Sequence, residues 1–131
     1  MVIDTSVLLA ILEGEPEADA FSRLIESADT RIMSAVTMLE TGIVVEARKG
    51  AAGRRALDLL IQTAGIDIVA FDGEQAALAR QGFATFGKGR HPAGLNFGDC
   101  AVYGLAKASA EPILFKGEDF SKADAPIVNL S

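Results

Sequence analysis

Four acidic residues lie at positions where a carboxylate could do chemistry. Asp4 ends a short apolar run, Glu40 lies within an apolar helical stripe, and Asp99 stands near the start of a helical segment. Asp119 follows the apolar segment near the C-terminus. Three of the four have a structural alternative, since Asp4 and Asp99 have the spacing of helix caps and Asp119 can form a turn. Glu40 lacks such an alternative, because a glutamate on a buried helix face needs a partner.

Carboxylates brought together in this way would bind a hard divalent cation. Two carboxylates roughly 5 Å apart repel each other by about 3 kcal/mol at an effective dielectric near 20, so a cluster of four requires positive charge. Oxygen ligands favour Mg²⁺, with Mn²⁺ as a substitute, and metal-assisted phosphoryl transfer is the chemistry that follows. The single histidine, His91, and the single cysteine, Cys100, exclude a Cys/His zinc finger and a two-histidine mechanism.

The strands and helices that must position these acids indicate an α/β fold. Short apolar strands alternate with helices, which is typical of a mostly parallel sheet covered on both faces. The strands are predicted at 1–4, 31–35, 66–71, 112–116 and 127–130. The helices are predicted at 7–12, from Pro16 to about residue 25, and at 37–48, 54–64, 72–83 and 96–110. Asp4 and Asp119 fall at the carboxyl ends of strands, where ligands bind in such folds.

Length and composition indicate a single domain over residues 1–131, with 50% hydrophobic residues. We expect a cytoplasmic protein that does not span a membrane, because no apolar run approaches about 18 residues. The 12 basic and 18 acidic residues give a net charge of -6, which taken alone argues against a nucleic acid partner. The excess of acidic residues is confined to the first part of the chain, however, because residues 1–46 carry a net charge of -7 and residues 47–131 carry +1.

Four segments together carry a resemblance to a known family. They are the run from Val2 to Leu8, the helix around Glu40, the segment 87–100 with the sequence GKGRHPAGLNFGDC, and the segment 114–120 with the sequence LFKGEDF. The chain resembles the PIN-domain ribonucleases, and most closely the VapC toxins of bacterial toxin-antitoxin pairs. The resemblance covers essentially the whole chain in order.

The resemblance implies a three-layer α/β/α domain with a mostly parallel five-stranded sheet ordered 3-2-1-4-5. It makes Asp4 and Asp99 the principal metal ligands, Glu40 the helix carboxylate of the same site and Asp119 the fourth acid, with Glu118 as the alternative for that position. Thr5 or Ser6 would support the water shell of the metal or a phosphate. The implied activity is an endoribonuclease that uses one or two Mg²⁺ ions and leaves a 5'-phosphate and a 3'-hydroxyl.

Partners and RNA contacts follow from the same resemblance. The implied partners are an RNA substrate, a VapB-like antitoxin and a second copy of the chain in a homodimer. The basic loop of Lys88, Arg90 and His91 lies next to Asp99 in the sequence and could guide a phosphate backbone, together with Arg48 and Arg54. With no tryptophan and one tyrosine, the sequence offers no obvious platform for stacking bases.

Two other functions remain open at this point. In the first, a PIN-like domain acts only through protein interactions and its acids are structural. In the second, Asp4 is the nucleophile of a phosphotransfer protein. We rank the second last, because the run Asp4-Thr5-Ser6 lacks the second aspartate of the phosphatase pattern Asp-x-Asp.

Overall fold

The computed structural model describes residues 1–130, which form a four-stranded parallel sheet. Its strands are β1 (Val2–Ile3), β2 (Ile32–Ser34), β3 (Asp67–Val69) and β4 (Ile113–Leu114), in the order β3-β2-β1-β4. All three strand pairs are parallel. β1 therefore lies between β2 and β4, and the carboxyl ends of all strands meet at one edge.

Five helices cover the two faces of the sheet and complete the three layers. They are α1 (Thr5–Leu12), α2 (Ala18–Ser27), α3 (Ala35–Ala64), α4 (Gly73–Phe86) and α5 (Phe97–Ser109), followed by a short 3₁₀ helix at Phe120–Lys122. α1, α2 and α3 pack against one another, and α4 packs against α5. Among the described residues no helix is long and apolar enough to cross a membrane.

The alternation of side chains along the strands separates two hydrophobic cores. Ile3 and Leu114 point into the core shared with α1, α2 and α3, whereas Val2 and Ile113 point into the core shared with α4 and α5. All four side chains are fully buried. Strands buried on both faces explain why these segments read as continuous apolar runs in the sequence.

The predicted fifth strand at 127–130 is wrong. Ile127 makes one parallel bridge to Ile113, held by hydrogen bonds from Ile113 N to Pro126 O and from Val128 N to Ile113 O, each 2.9 Å long. The ladder has little room to grow, because β4 is two residues long and Pro126 has no N–H to donate. The sheet order is therefore 3-2-1-4.

The two helices predicted at 37–48 and 54–64 are the two halves of α3. Gly50 interrupts the helix with φ 60° and ψ -145°, a conformation that glycine adopts at little cost. The helix end that the sequence predicts near Gly50 is therefore a kink within a longer helix. This kink lies far from the functional end of α3, since ten residues of helix separate it from Glu40 by about 15 Å.

Candidate active site

Asp4 lies directly after β1 and has both a structural and an electrostatic role. Its side chain caps α1 by accepting a hydrogen bond from Ser6 N at 3.0 Å, and Ser6 Oγ donates to the same carboxylate oxygen at 2.5 Å. Ser6 Oγ also accepts a hydrogen bond from Lys116 N at 2.9 Å, which ties this turn to the end of β4. Burial raises the pKa of Asp4, the bonds from Ser6 oppose this, and the charge of Glu40 raises it further.

Glu40 reaches the same place from the first turns of α3. Its Oε1 accepts a hydrogen bond from Thr5 Oγ1 at 2.6 Å, and Thr41 Oγ1 lies 3.0 Å from Thr5 Oγ1 in a fully buried position. On its other side the carboxylate rests against the backbone of Gly98, where an added Cβ would lie 2.7 Å from Glu40 Cδ. Glu40 therefore has the hydrogen-bond partner that a glutamate in an apolar stripe needs, and this partner is Thr5.

Asp99 is the third residue of α5 and forms the predicted capping box. Asp99 N donates to Asn96 Oδ1 at 2.9 Å, and Asn96 N donates to Asp99 Oδ2 at 3.0 Å. Burial raises the pKa of Asp99 to about 7, against the hydrogen bond from Asn96, and the charges of Asp4, Asp119 and Glu40 add to the increase. The structural interpretation and the functional one are therefore compatible, because capping leaves the other carboxylate oxygen available.

Asp119 approaches the same site from the segment after β4. It precedes the 3₁₀ helix, makes no side-chain cap bond there, and lies close enough to raise the pKa of Asp99. Glu118 behaves differently, since its side chain is 83% exposed and lies 3.9 Å from Lys122 Nζ. This arrangement favours Asp119 over Glu118 as the fourth acid.

The donor set of this site fits a divalent cation that keeps most of its water. Oxygen atoms are the donors, and the pKa values of Asp4 and Asp99 are raised chiefly by burial, with a smaller contribution from the charges of the neighbouring acids. Within residues 1–130 no three His, Cys, Asp or Glu side chains are arranged closely enough to enclose a metal ion. A small hard cation such as Mg²⁺ usually binds through one or two carboxylates and retains several waters.

The predicted basic residues divide into two groups. Lys88, Arg90 and His91 lie in the loop between α4 and α5, where the Arg90 guanidinium stands 5.6 Å from the ring centroid of Phe83. His91 Nδ1 accepts a hydrogen bond from Ala93 N at 3.0 Å, so it stabilises its own loop.

Arg48 and Arg54 form the other group, near the kink in α3. Arg48 pairs with Glu13 at 2.5 Å and Arg54 pairs with Glu46 at 2.7 Å. Arg48 stands about 12 Å along the helix from Glu40, so the structure does not bring these two arginines to the carboxylates.

Sequence reasoning missed Gly98 and Phe97. Gly98 is in contact with Glu40, and its only signal was an unfavourable glycine inside a helix beside a candidate acid. Phe97 is 82% exposed at the first position of α5, and its signal was an aromatic residue immediately after a capping asparagine. The expectation about stacking surfaces considered only tryptophan and tyrosine, and it did not take this exposed phenylalanine into account.

The sequence matches the family model of the PIN domain over residues 1–126. The protein belongs to this family. Within it the chain is a VapC-type member, since it is 52% identical to Ribonuclease VapC30 of Mycobacterium tuberculosis over 130 residues, which cover 99% of each chain.

Solved structures with low sequence identity share the fold. VapC20 of Mycobacterium tuberculosis, described as a sarcin-ricin loop cleaving toxin, superposes with a TM-score of 0.76 at 18% identity and covers 98% of each chain. VapBC2 of Rickettsia felis, bound to a DNA fragment from its promoter, superposes with a TM-score of 0.77 at 15% identity and covers 98% of this chain and 96% of that one. The three-layer arrangement is thus that of these VapC proteins.

Proposed function

We propose that this protein is a Mg²⁺-dependent endoribonuclease that acts in the cytoplasm as the toxin of a toxin-antitoxin pair. The observation that carries the proposal is the convergence of Asp4, Glu40, Asp99 and Asp119 from four segments of the chain. Membership of the VapC ribonucleases supports RNA as the substrate. Mn²⁺ is the expected substitute for Mg²⁺, because both are hard cations that prefer oxygen ligands.

Asp4 and Asp99 would be the principal ligands of one or two Mg²⁺ ions, with Glu40 and Asp119 completing the site. When bound, such an ion supplies an activated water and stabilises the charge that develops on the scissile phosphate. The chain contributes fixed carboxylate positions. Ser6 holds one oxygen of Asp4, Thr5 holds one oxygen of Glu40, and Asn96 holds one oxygen of Asp99.

These fixed positions matter because little rearrangement is then required during the reaction. Preorganised groups act on developing charge without reorganising at the moment of reaction. The N-terminus of α5 adds partial positive charge beside Glu40 and Asp99, which offsets part of the repulsion between them. With two ions bound, in-line attack by water would need no protein base, which suits a chain with a single histidine.

The test is cleavage of a structured RNA in Mg²⁺ by the wild type and by Asp4→Asn and Asp99→Asn. We expect both variants to lose at least about 100-fold in rate, because each loses charge at the ion and the reacting phosphate. Asp67→Asn, at an exposed position on the edge strand β3, is the matched control and should cleave normally. Cleavage that survives EDTA, or that proceeds equally in both site variants, would sink the mechanism.

Divalent cations also distinguish a nuclease from a domain that acts only through protein contacts. A ligand that binds the folded state alone raises the melting temperature by mass action. We expect Mg²⁺ or Mn²⁺ to raise the melting temperature of the wild type and to have a smaller effect on Asp99→Asn. A melting temperature that does not respond to either ion would favour the interaction module with structural acids.

We further propose a VapB-like antitoxin and a second copy of the chain as partners. The structural relative from Rickettsia felis is a VapBC assembly. In this chain Leu39 and Ile43 leave apolar side chains 64% and 60% exposed on α3, which gives protein partners a surface to cover. Co-expression with the product of the adjacent upstream gene, followed by affinity capture and light scattering, tests both partners.

A further inference from the structure

Asp119 stands on an irregular segment, whereas the other three acids of the site stand on helices or at the end of a strand. Residues 115–125 follow β4 and lead to the bridge at Ile127, and their regular structure is limited to the 3₁₀ helix. The Asp119 side chain is exposed and makes no cap bond to that helix. Its position is therefore set by the contacts that anchor the segment.

Aromatic packing is the first of these contacts. Phe120, the neighbour of Asp119, is fully buried, and its ring lies 5.2 Å from the ring of Phe115 in an edge-to-face arrangement. Both rings belong to the core that β4 shares with α4 and α5. Burial of apolar surface is largely non-directional, so this packing holds the segment on the core, and a directional contact is needed to fix its orientation.

The directional contact comes from α5. Tyr103 Oη donates a hydrogen bond to Asp124 Oδ1 at 2.7 Å, and Lys107 Nζ lies 3.5 Å from Asp124 Oδ2. The Tyr103 ring is itself fixed, because it is buried and lies so close to Gly82 of α4 that an added Cβ would stand 2.6 Å from it. Burial, together with Asp124, raises the pKa of Tyr103 to about 12, so the hydroxyl stays a donor at neutral pH. A hydrogen bond to a carboxylate is also stronger than one between neutral groups.

This contact joins the segment of Asp119 to the helix that carries Asp99. Tyr103 follows Asp99 by four positions, and residues four apart lie on the same face of a helix. Asp124 follows Asp119 by five positions, and backbone hydrogen bonds close the 3₁₀ helix between them, so the two move together. α5 therefore holds one acid of the site directly and the segment of another through Tyr103 and Asp124.

We propose that Tyr103 and Asp124 are positioning residues that hold the Asp119 carboxylate toward Asp99, where the two acids share a divalent cation. This inference rests on the proposed metal-dependent nuclease function and adds to it two residues outside the carboxylate set. The charges of Asp99 and Asp119 repel each other, so an untethered Asp119 turns toward solvent. Binding of the cation then includes the cost of bringing the carboxylate back, and the tie removes that cost in advance.

The experiment measures the affinity for Mn²⁺ in the absence of RNA, by the loss of the electron paramagnetic resonance signal of the free ion. Tyr103→Phe keeps the ring and removes the hydroxyl, and we expect it to raise the dissociation constant about tenfold, as the loss of a residue that supports a metal ligand does. Asp124→Ala should do the same. Asp124→Asn keeps an acceptor oxygen for Tyr103 and should bind Mn²⁺ nearly as tightly as the wild type. Ser109→Ala removes another hydroxyl of α5, one that donates to Leu105 O, and is the matched control without effect.

Two further measurements separate positioning from a general effect on the fold. If Tyr103 acts through Asp119, Tyr103→Phe should cause no additional loss of Mn²⁺ affinity in an Asp119→Asn background. Amide hydrogen exchange in EDTA should become faster over residues 116–125 in Tyr103→Phe and Asp124→Ala, because their tie to α5 is lost. The protection of α5 itself should stay as in the wild type, which shows that the variants are folded.

Several outcomes would overturn the positioning role. They are equal Mn²⁺ affinity of Tyr103→Phe and the wild type, an equal loss of affinity in the Asp119→Asn background, and binding by Asp124→Asn that is as weak as that by Asp124→Ala. Faster exchange throughout α5 would likewise assign the hydroxyl to the stability of the fold. These results leave the nuclease function standing as long as the wild type binds Mn²⁺ and cleaves RNA. A wild type that does neither refutes the proposed function, and the positioning role with it.

Discussion

Replacement of Gly98 by alanine tests whether the position of the Glu40 carboxylate controls the chemistry. A Cβ added at Gly98 would lie 2.7 Å from Glu40 Cδ and 2.8 Å from Glu40 Oε1. Glu40 Oε2 would lie closer still, and because ordinary contacts begin at 3.4 Å, the carboxylate must withdraw by more than about 1 Å. Because Thr5 holds Oε1 at 2.6 Å, this movement also stretches or breaks that hydrogen bond.

We expect Gly98→Ala to lower the catalytic activity and to leave the thermal stability unchanged. A misplacement of about 1 Å at a reacting centre can cost about 100-fold, so we expect Gly98→Ala to lower kcat/KM by roughly 10- to 100-fold. Alanine inside a helix is favoured over glycine by up to about 1 kcal/mol, so the melting temperature in EDTA should not fall. The measurements are Mg²⁺-dependent RNA cleavage and thermal unfolding of the same preparation.

Two further variants control this test. Gly73→Ala adds a Cβ at the first position of α4, where nothing lies within 4 Å, and should leave cleavage unchanged. Glu40→Asp shortens the side chain and withdraws the carboxylate, so Gly98→Ala should cost less in that background than in the wild type. The reasoning is refuted if Gly98→Ala cleaves as fast as Gly73→Ala, or if the effects of Gly98→Ala and Glu40→Asp simply add.

Two more predictions concern the carboxylates themselves. Burial, together with the neighbouring acids, raises the pKa of Asp99 from 3.8 to about 7. Between these two pH values the folded protein therefore binds more protons than the unfolded chain. The free energy of unfolding then decreases as the pH rises from about 4 to about 7. Asp99→Asn does not titrate and can still accept the bond from Asn96, so in EDTA at pH 8 it should be more stable than the wild type. The gain in the free energy of unfolding has an upper limit of about 4 kcal/mol, and solvent around this half-buried group lowers it to about 2 kcal/mol. Calorimetry should show that the difference between the variant and the wild type shrinks toward pH 4. Thr5→Val removes the hydroxyl that holds Glu40, whereas Thr5→Ser keeps it; we expect about a tenfold loss of kcat for the first variant only, and equal rates would contradict the positioning role.

Most of the fold could be predicted because its signals are local. Apolar runs indicated the strands, and the capping box at Asn96 and Asp99 indicated the start of α5. The prediction failed where an outcome depends on distant partners. The segment after Pro126 has the composition of a strand, yet its pairing is limited by the two-residue length of β4, which no local pattern reports.

The same distinction applies to the site. The four acids could be selected by residue type and by their place in the predicted elements, and the structure brings Asp4, Glu40 and Asp119 within electrostatic reach of Asp99. Their supports could not be selected in this way. Thr5 holds Glu40 and Gly98 makes room for it, and both contacts join segments that meet only in the folded chain.

The net charge of -6 shows why the location of charges predicts a partner better than their sum. Glu13 and Glu46 neutralise Arg48 and Arg54, and Glu15 and Glu17 pair with Lys116, so these charges do little at long range. The acids of the site form a second group, whose charge a divalent cation would offset. What remains near Asp99 in the chain is the loop between α4 and α5, where Lys88 and Arg90 form no ion pair within residues 1–130. An acidic chain can therefore present a surface that attracts a phosphate backbone, provided that the metal is bound.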